Sequence, residues 1–151
     1  MPEYEDIREL LKRYKQEGKK HTLMIFDDAI GSLSNLESLY TIGSHHLACS
    51  AITLSQSLFG KSESLRILSQ NAKYHVIMKS PRSLRNVSSL AQQLGAFSKN
   101  QVVSAFQAIN RNRYGYLIID LSSNCPDHVR LRTYIFKHES LCPVTFLQQS
   151  K

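Results

Sequence analysis

The chain has 151 residues, 42% of them hydrophobic and 21% charged, which is the balance of one globular domain with a buried core and not of a disordered or fibrous polymer. Its longest apolar runs are strand-sized and it opens Pro2-Glu3-Tyr4-Glu5-Asp6, so the expectation is a protein with neither a membrane span nor a signal peptide, intracellular and not secreted. Cys49, Cys125 and Cys142 are odd in number and form no C-x-x-C pair, which suits a reducing compartment better than a disulfide framework.

Ile7, Leu10, Leu11 and Tyr14 recur at helical spacing, with acids before them and Lys12, Arg13 and Lys15 after, so the pattern predicts an amphipathic helix over residues 2–17 ending at Gly18. Leu23-Met24-Ile25-Phe26-Asp27-Asp28 reads as a buried strand with acids only at its C-terminal end. Ser34-Asn35-Leu36-Glu37 starts a second helix that stops near Gly43, and a strand follows around Ala51. Residues 63–70 read as helix and residues 73–79 as strand. Pro81 opens a helix whose apolar face is Leu84, Val87, Leu90, Ala91 and Leu94, ended by Gly95.

Residues 101–109 carry Val102, Val103, Ala105, Phe106 and Ile109, again at helical spacing. Residues 114–121 and 129–136 are two β-rich runs joined by Ser122-Ser123-Asn124-Cys125-Pro126-Asp127, a turn composition, and so predict a C-terminal hairpin. Strands alternating with helices before that hairpin define the α/β class. No internal repeat or low-complexity tract interrupts the order.

The net charge of +7 is unevenly placed. Between Ser38 and Ile119 the only acid is Glu63, against nine Lys and Arg. Such a one-signed stretch fits a polyanion partner, nucleic acid or nucleotide phosphate; a solvated basic surface without a partner is the plainer alternative.

Several residue groups invite chemistry. Ser55–Ser62, S-Q-S-L-F-G-K-S, imitates a phosphate loop in all but its first glycine; Ser55 there argues for an ordinary strand-to-helix connection, because a loop wrapping a phosphate needs dihedrals that a side chain disfavours. A complete G-x-x-x-x-G-K-[ST] occurs nowhere in the sequence. Cys125-x2-His128 and His138-x3-Cys142 have zinc-loop spacing. If residues 129–136 form one strand, eight residues at ~3.3 Å hold the two pairs roughly 25 Å apart, so no zinc site is expected. His45 and His46 read as surface or helix-end residues, His75 as a hydrogen-bonded, half-buried side chain, and Tyr114, Tyr116 and Tyr134 as packing residues of the β-runs.

Taken in order, the Leu23–Asp28 run, Thr41-Ile42-Gly43-Ser44-His45-His46, Ile52-Thr53-Leu54-Ser55-Gln56-Ser57-Leu58-Phe59, Ser69-Gln70-Asn71-Ala72-Lys73-Tyr74, Lys79-Ser80-Pro81-Arg82, Tyr114 to Asp120 and Arg130-Leu131-Arg132 resemble the genome-packaging ATPases of large DNA viruses and Maverick/Polinton transposons, within the FtsK/HerA group of P-loop motors. The likeness spans nearly the whole chain and corresponds to the family's C-terminal part, from just before the Walker B strand. It implies an incomplete RecA-like (ASCE) P-loop NTPase sheet with flanking helices and a C-terminal β-hairpin, as one truncated domain over residues 1–151.

The resemblance further implies Asp27 as the Mg²⁺-associated acid, Asp28 as the water-activating carboxylate, Gln56 as the sensor of the γ-phosphate and Arg66 as the finger reaching a neighbouring subunit's nucleotide, with Arg82 and Arg85 as alternatives for that finger. ATP and Mg²⁺ are the implied cofactors, poorly bound without the phosphate loop. DNA is the implied partner, together with further copies of the chain or a complementary chain carrying the loop, in a nuclear or virus-associated setting. Leu47 stands where relatives usually carry a basic residue after the His-His pair. The alternatives are a non-catalytic DNA-binding or assembly module, and a partial gene model whose missing exon holds the loop.

Overall fold

The structure is a computed structural model that describes residues 3–27, 34–43, 47–56, 63–94, 99–139 and 144–146. The chain divides into two compact units, Met1–Ala72 and Lys73–Lys151, described in turn.

The first unit begins with α1 (Tyr4–Gln16). Its first turn carries Glu5 and Asp6 and its last Arg13 and Lys15, each sign at the helix end whose partial charge it opposes. Asp6 also accepts a hydrogen bond from the Glu3 backbone N–H at 3.0 Å. The helix closes with Gly18 N–H on the Lys15 carbonyl and Lys19 N–H on that of Tyr14, a paired closure that places Gly18 at φ +80°. Glycine is required by that dihedral.

The chain then forms β1 (Thr22–Phe26), α2 (Ser34–Ser38) continued by a π-helical turn over Leu39–Gly43, β2 (Cys49–Thr53) and α3 (Glu63–Asn71). β1 and β2 pair in parallel, Thr22 opposite Cys49 through to Phe26 opposite Thr53. Alternation along the strands sends Met24, Phe26, Cys49 and Ala51 against Ile7 and Leu11 of α1, Leu36 and Leu39, and Leu68 of α3. The opposite face carries Leu23, Ile25, Ile52 and, just past β2, Leu54, all exposed, Ile25 at 62%.

The second unit is a four-stranded antiparallel sheet in the order β3-β4-β5-β6, formed by β3 (Tyr74–Met78), β4 (Tyr116–Asp120), β5 (Leu131–Thr133) and β6 (Val144–Thr145). Between β3 and β4 lie a 3₁₀ turn (Pro81–Ser83), α4 (Leu84–Gln93) and α5 (Lys99–Ile109). α4 packs on α5, and α5 on β4 and β5. Val87, Leu90 and Ala91 of α4 and Val102, Ala105, Phe106 and Ile109 of α5 are buried, as their spacing predicts; Leu84 stays exposed because it lies where the helix leaves its 3₁₀ entry. Every residue of β4 is buried. On β3, His75 and Ile77 are buried and Tyr74, Val76 and Met78 exposed.

Gly115 permits the entry to β4. A Cβ there would lie 2.0 Å from the Ile109 carbonyl oxygen, so the chain leaving α5 can fold back this closely only without a side chain.

The mixed α/β class holds. The hairpin forms as β4 and β5, but the expectation of one strand over residues 129–136 is corrected. Asp127–Val129 is a 3₁₀ turn, Arg130 is helical in backbone, only Leu131–Thr133 is strand, and Tyr134 turns out of it at φ +52°. Arg130 causes the early bend: its guanidinium donates to the carbonyls of Asp120 (2.7 Å), Ser122 (3.2 Å) and Cys125 (2.8 Å) and to Asp127 Oδ1 (3.0 Å), tying the connection into a knot. One extended strand therefore does not separate the Cys125–His128 pair from His138. Among the described residues no three His, Cys, Asp or Glu side chains gather as a metal site, and Cys142 lies outside the described residues.

Candidate functional site

Parallel pairing of β1 and β2 brings two of the singled-out residues to one end of one sheet. Asp27 follows β1 and is exposed; the Phe26 carbonyl beside it accepts from Leu54 N–H at 2.8 Å, so Leu54 continues the ladder past Thr53. Gln56 comes two residues later, also exposed. Both therefore leave from the carboxyl ends of adjacent parallel strands, the edge at which open α/β sheets place their ligands. Tyr40 steadies this end from the side: its hydroxyl shares a 2.8 Å hydrogen bond with Thr53 Oγ1, and burial, only partly offset by the Thr53 contacts, pushes the phenol's pKa up.

Arg66 is less engaged with that end. It lies on α3, is exposed and faces Glu63 of its own helix at 3.6 Å, an i,i+3 pair in high dielectric. Arg82 and Arg85, the alternative fingers, belong to the second unit and are exposed. Asp28, His45, His46 and residues 57–62 of the imitation phosphate loop lie outside the described residues.

As a metal or nucleotide ligand set, the described part is sparse. Asp27 offers one hard carboxylate of the kind Mg²⁺ accepts, and Gln56 one neutral amide. One protein carboxylate holds Mg²⁺ only when phosphates and water complete its shell, so these residues fit a share of a Mg²⁺–ATP site and not the whole of it.

The second unit builds a denser polar cluster from runs that carry the resemblance but to which the sequence assigns no site role. Asp120, at the end of β4 and 5% exposed, accepts from Ser122 N–H at 3.0 Å, from the Ser122 hydroxyl and from Arg132 at 2.5 Å. Burial alone would raise its pKa; the Ser122 donors, the Cys125 thiol and the Arg132 charge outweigh it and hold the carboxyl below the ordinary carboxylate value. The same surroundings push the Cys125 thiol up, burial first and the Asp120 carboxylate next. The available signal was scarcity: an acid closing an apolar strand, if buried, must be paired or hydrogen-bonded, and cations abound in this stretch.

Residues 73–151 hold eleven Lys and Arg against three acids. All three acids are engaged: Asp120 with Arg132, Asp127 with Arg130, and Glu139 as acceptor from the Tyr116 hydroxyl at 2.5 Å. Lys73, Arg82, Arg85, Lys99 and Arg111 form no ion pair among the described residues, and all are exposed. Tyr114, expected as packing, is 76% exposed with the Arg113 guanidinium 5.3 Å from its ring centroid; it precedes the strand. Tyr116 is buried as expected.

Comparison of the chain with family models, with curated proteins and with solved structures finds no match in any of the three.

Proposed function

We propose that the chain is the Walker B and sensor portion of a DNA-packaging P-loop ATPase of the FtsK/HerA group, of viral or Maverick/Polinton type, working on DNA in a nuclear or virus-associated setting. One observation carries the reading: Asp27 and Gln56 leave the same end of neighbouring parallel strands, as a metal acid and a phosphate sensor of one site must. The sequence holds no G-x-x-x-x-G-K-[ST], so the backbone donors and lysine that neutralise a triphosphate must come from a further segment or a complementary chain. Alone, the chain takes up Mg²⁺–ATP weakly and does not turn it over.

Titration with a fluorescent ATP analogue, with and without Mg²⁺, tests this. Weak, Mg²⁺-dependent binding that disappears in Asp27→Ala supports the reading. Tight binding or sustained hydrolysis overturns the inactive-alone part, and binding indifferent to Asp27→Ala overturns the site.

A second reading, a non-catalytic DNA-binding module derived from such a motor, draws on the uncompensated cations of residues 73–151. Duplex binding that is salt-dependent and unaffected by ATP and by Asp27→Ala supports it; ATP turnover abolished by Asp27→Ala removes it.

A further inference from the structure

The exposed cations of the second unit include two at the rim of one shallow groove. It has a volume of about 360 Å³ and is lined by Leu84, Arg85, Ser88, Ser89 and Gln92 of α4 and by Lys99 at the start of α5. Two positive charges, two hydroxyls and an amide line it, with no acid. Nor does either helix carry an acid in its first turn, so nothing in α4 or α5 offsets the charge. All three acids of the unit are bound elsewhere, to Arg132, Arg130 and Tyr116. An exposed groove of this kind meets a chain of anions with charge at the rim and hydroxyl and amide donors between, the donor types that contact nucleic-acid phosphates.

Its length fits as well. From Arg85 to Gln92 the helix advances roughly 10 Å at ~1.5 Å per residue, enough for about two successive phosphates of one strand. No aromatic ring lines the groove among the described residues. The lining offers charge, hydroxyl and amide groups, the donor types that meet the phosphates presented on the outside of a duplex. Arg82 is exposed one turn before Arg85.

We infer that the α4–α5 groove, through Arg85, Lys99 and the Ser88, Ser89 and Gln92 donors between them, seats the phosphate backbone of duplex DNA without reading its sequence. This rests on the DNA-binding reading above and assigns it a surface.

The test is anisotropy of a labelled mixed-sequence duplex with the full chain over a range of salt concentrations. Arg85→Glu/Lys99→Glu is compared with Lys15→Glu/Lys19→Glu, which changes net charge equally but in the first unit, and circular dichroism verifies the fold of both. Loss of two phosphate contacts weakens binding roughly tenfold or more and lowers the slope of log K against log salt by about 2. The expected result is that loss in the groove variant, near wild-type binding in the first-unit variant, and wild-type binding in Arg85→Lys/Lys99→Arg. Wild-type duplex binding with equal losses in both reversal variants, or with none in the groove variant, overturns the groove while leaving DNA binding in place. No duplex binding by the wild type removes the DNA-binding reading and the groove together. Preference for the single strand of the same sequence overturns the duplex assignment.

Discussion

Arg132 stands opposite Ile118 in the β4–β5 ladder, yet its guanidinium reaches diagonally along the sheet face to Asp120, 2.5 Å away. Diagonal neighbours on one face lie within reach of a long side chain. The pair joins the end of β4 to β5, while Arg130, on the same strand approach, ties down the intervening connection. Two arginines two residues apart thus hold one turn from both sides.

Removing the carboxylate leaves that arrangement without its acceptor. Asp120→Ala is expected to cost about 2–4 kcal/mol, because a buried hydrogen-bonded charge is lost and Arg132 is left facing an apolar strand end. Urea unfolding of the two proteins measures it; a difference below 1 kcal/mol would mean water substitutes freely for the carboxylate.

The same group sets an acid limb. Its pKa in the folded protein lies below the unfolded carboxylate value, about 3.9, so in that window the unfolded chain binds more protons and stability rises with pH. The contribution is complete above the unfolded value and is lost as pH falls through the folded one. Asp120→Asn should flatten the fall in thermal midpoint below about pH 4 while leaving the neutral-to-alkaline limb unchanged.

Two glycines separate two kinds of constraint. Gly115→Ala drives a Cβ into the Ile109 carbonyl and is expected to cost about 2 kcal/mol or more through backbone displacement. Gly18→Ala meets nothing within 4 Å and pays only for a left-handed dihedral, about 1–2 kcal/mol. Denaturant midpoints rank them.

The two faces of the β1–β2 pair should respond oppositely. Ile25→Thr and Ile52→Thr, on the exposed face, are expected to change stability by less than about 0.5–1 kcal/mol and to improve solubility, since they remove apolar surface already in water. Leu39→Ala, fully buried behind the other face, should cost about 2–5 kcal/mol. Large losses at Ile25 and Ile52 would mean that this face is covered in solution.

Much of the element order was legible because its signals are local. The spacing of Ile7, Leu11 and Tyr14 with Gly18 behind them marked α1, and β-branched and aromatic residues marked β3. At residues 129–136 the β-propensity of Val129, Tyr134 and Ile135 is a local quantity, whereas the entry bend is held by Arg130 bonding to carbonyls five to ten residues away and the exit follows the left-handed turn at Tyr134. Of the candidate site, chemistry was legible at Asp27 and Gln56, but their shared sheet end depends on the parallel pairing of strands some two dozen residues apart, which no spacing rule supplies. The groove was hidden for the same reason: Arg85 and Lys99 belong to different helices, and only packing of α4 on α5 gives them a common rim.

Tyr40 offers an optical handle on the candidate site. The chain has seven tyrosines and no tryptophan, so phenol absorption and emission are not masked by indole. With its hydroxyl bonded to Thr53 and its ionisation displaced upward by burial, Tyr40 should remain neutral in mild alkali. Tyr116 is displaced upward as well, so a ligand that rearranges the end of β2 would be read as the change in late-titrating absorbance that a Tyr116→Phe background retains.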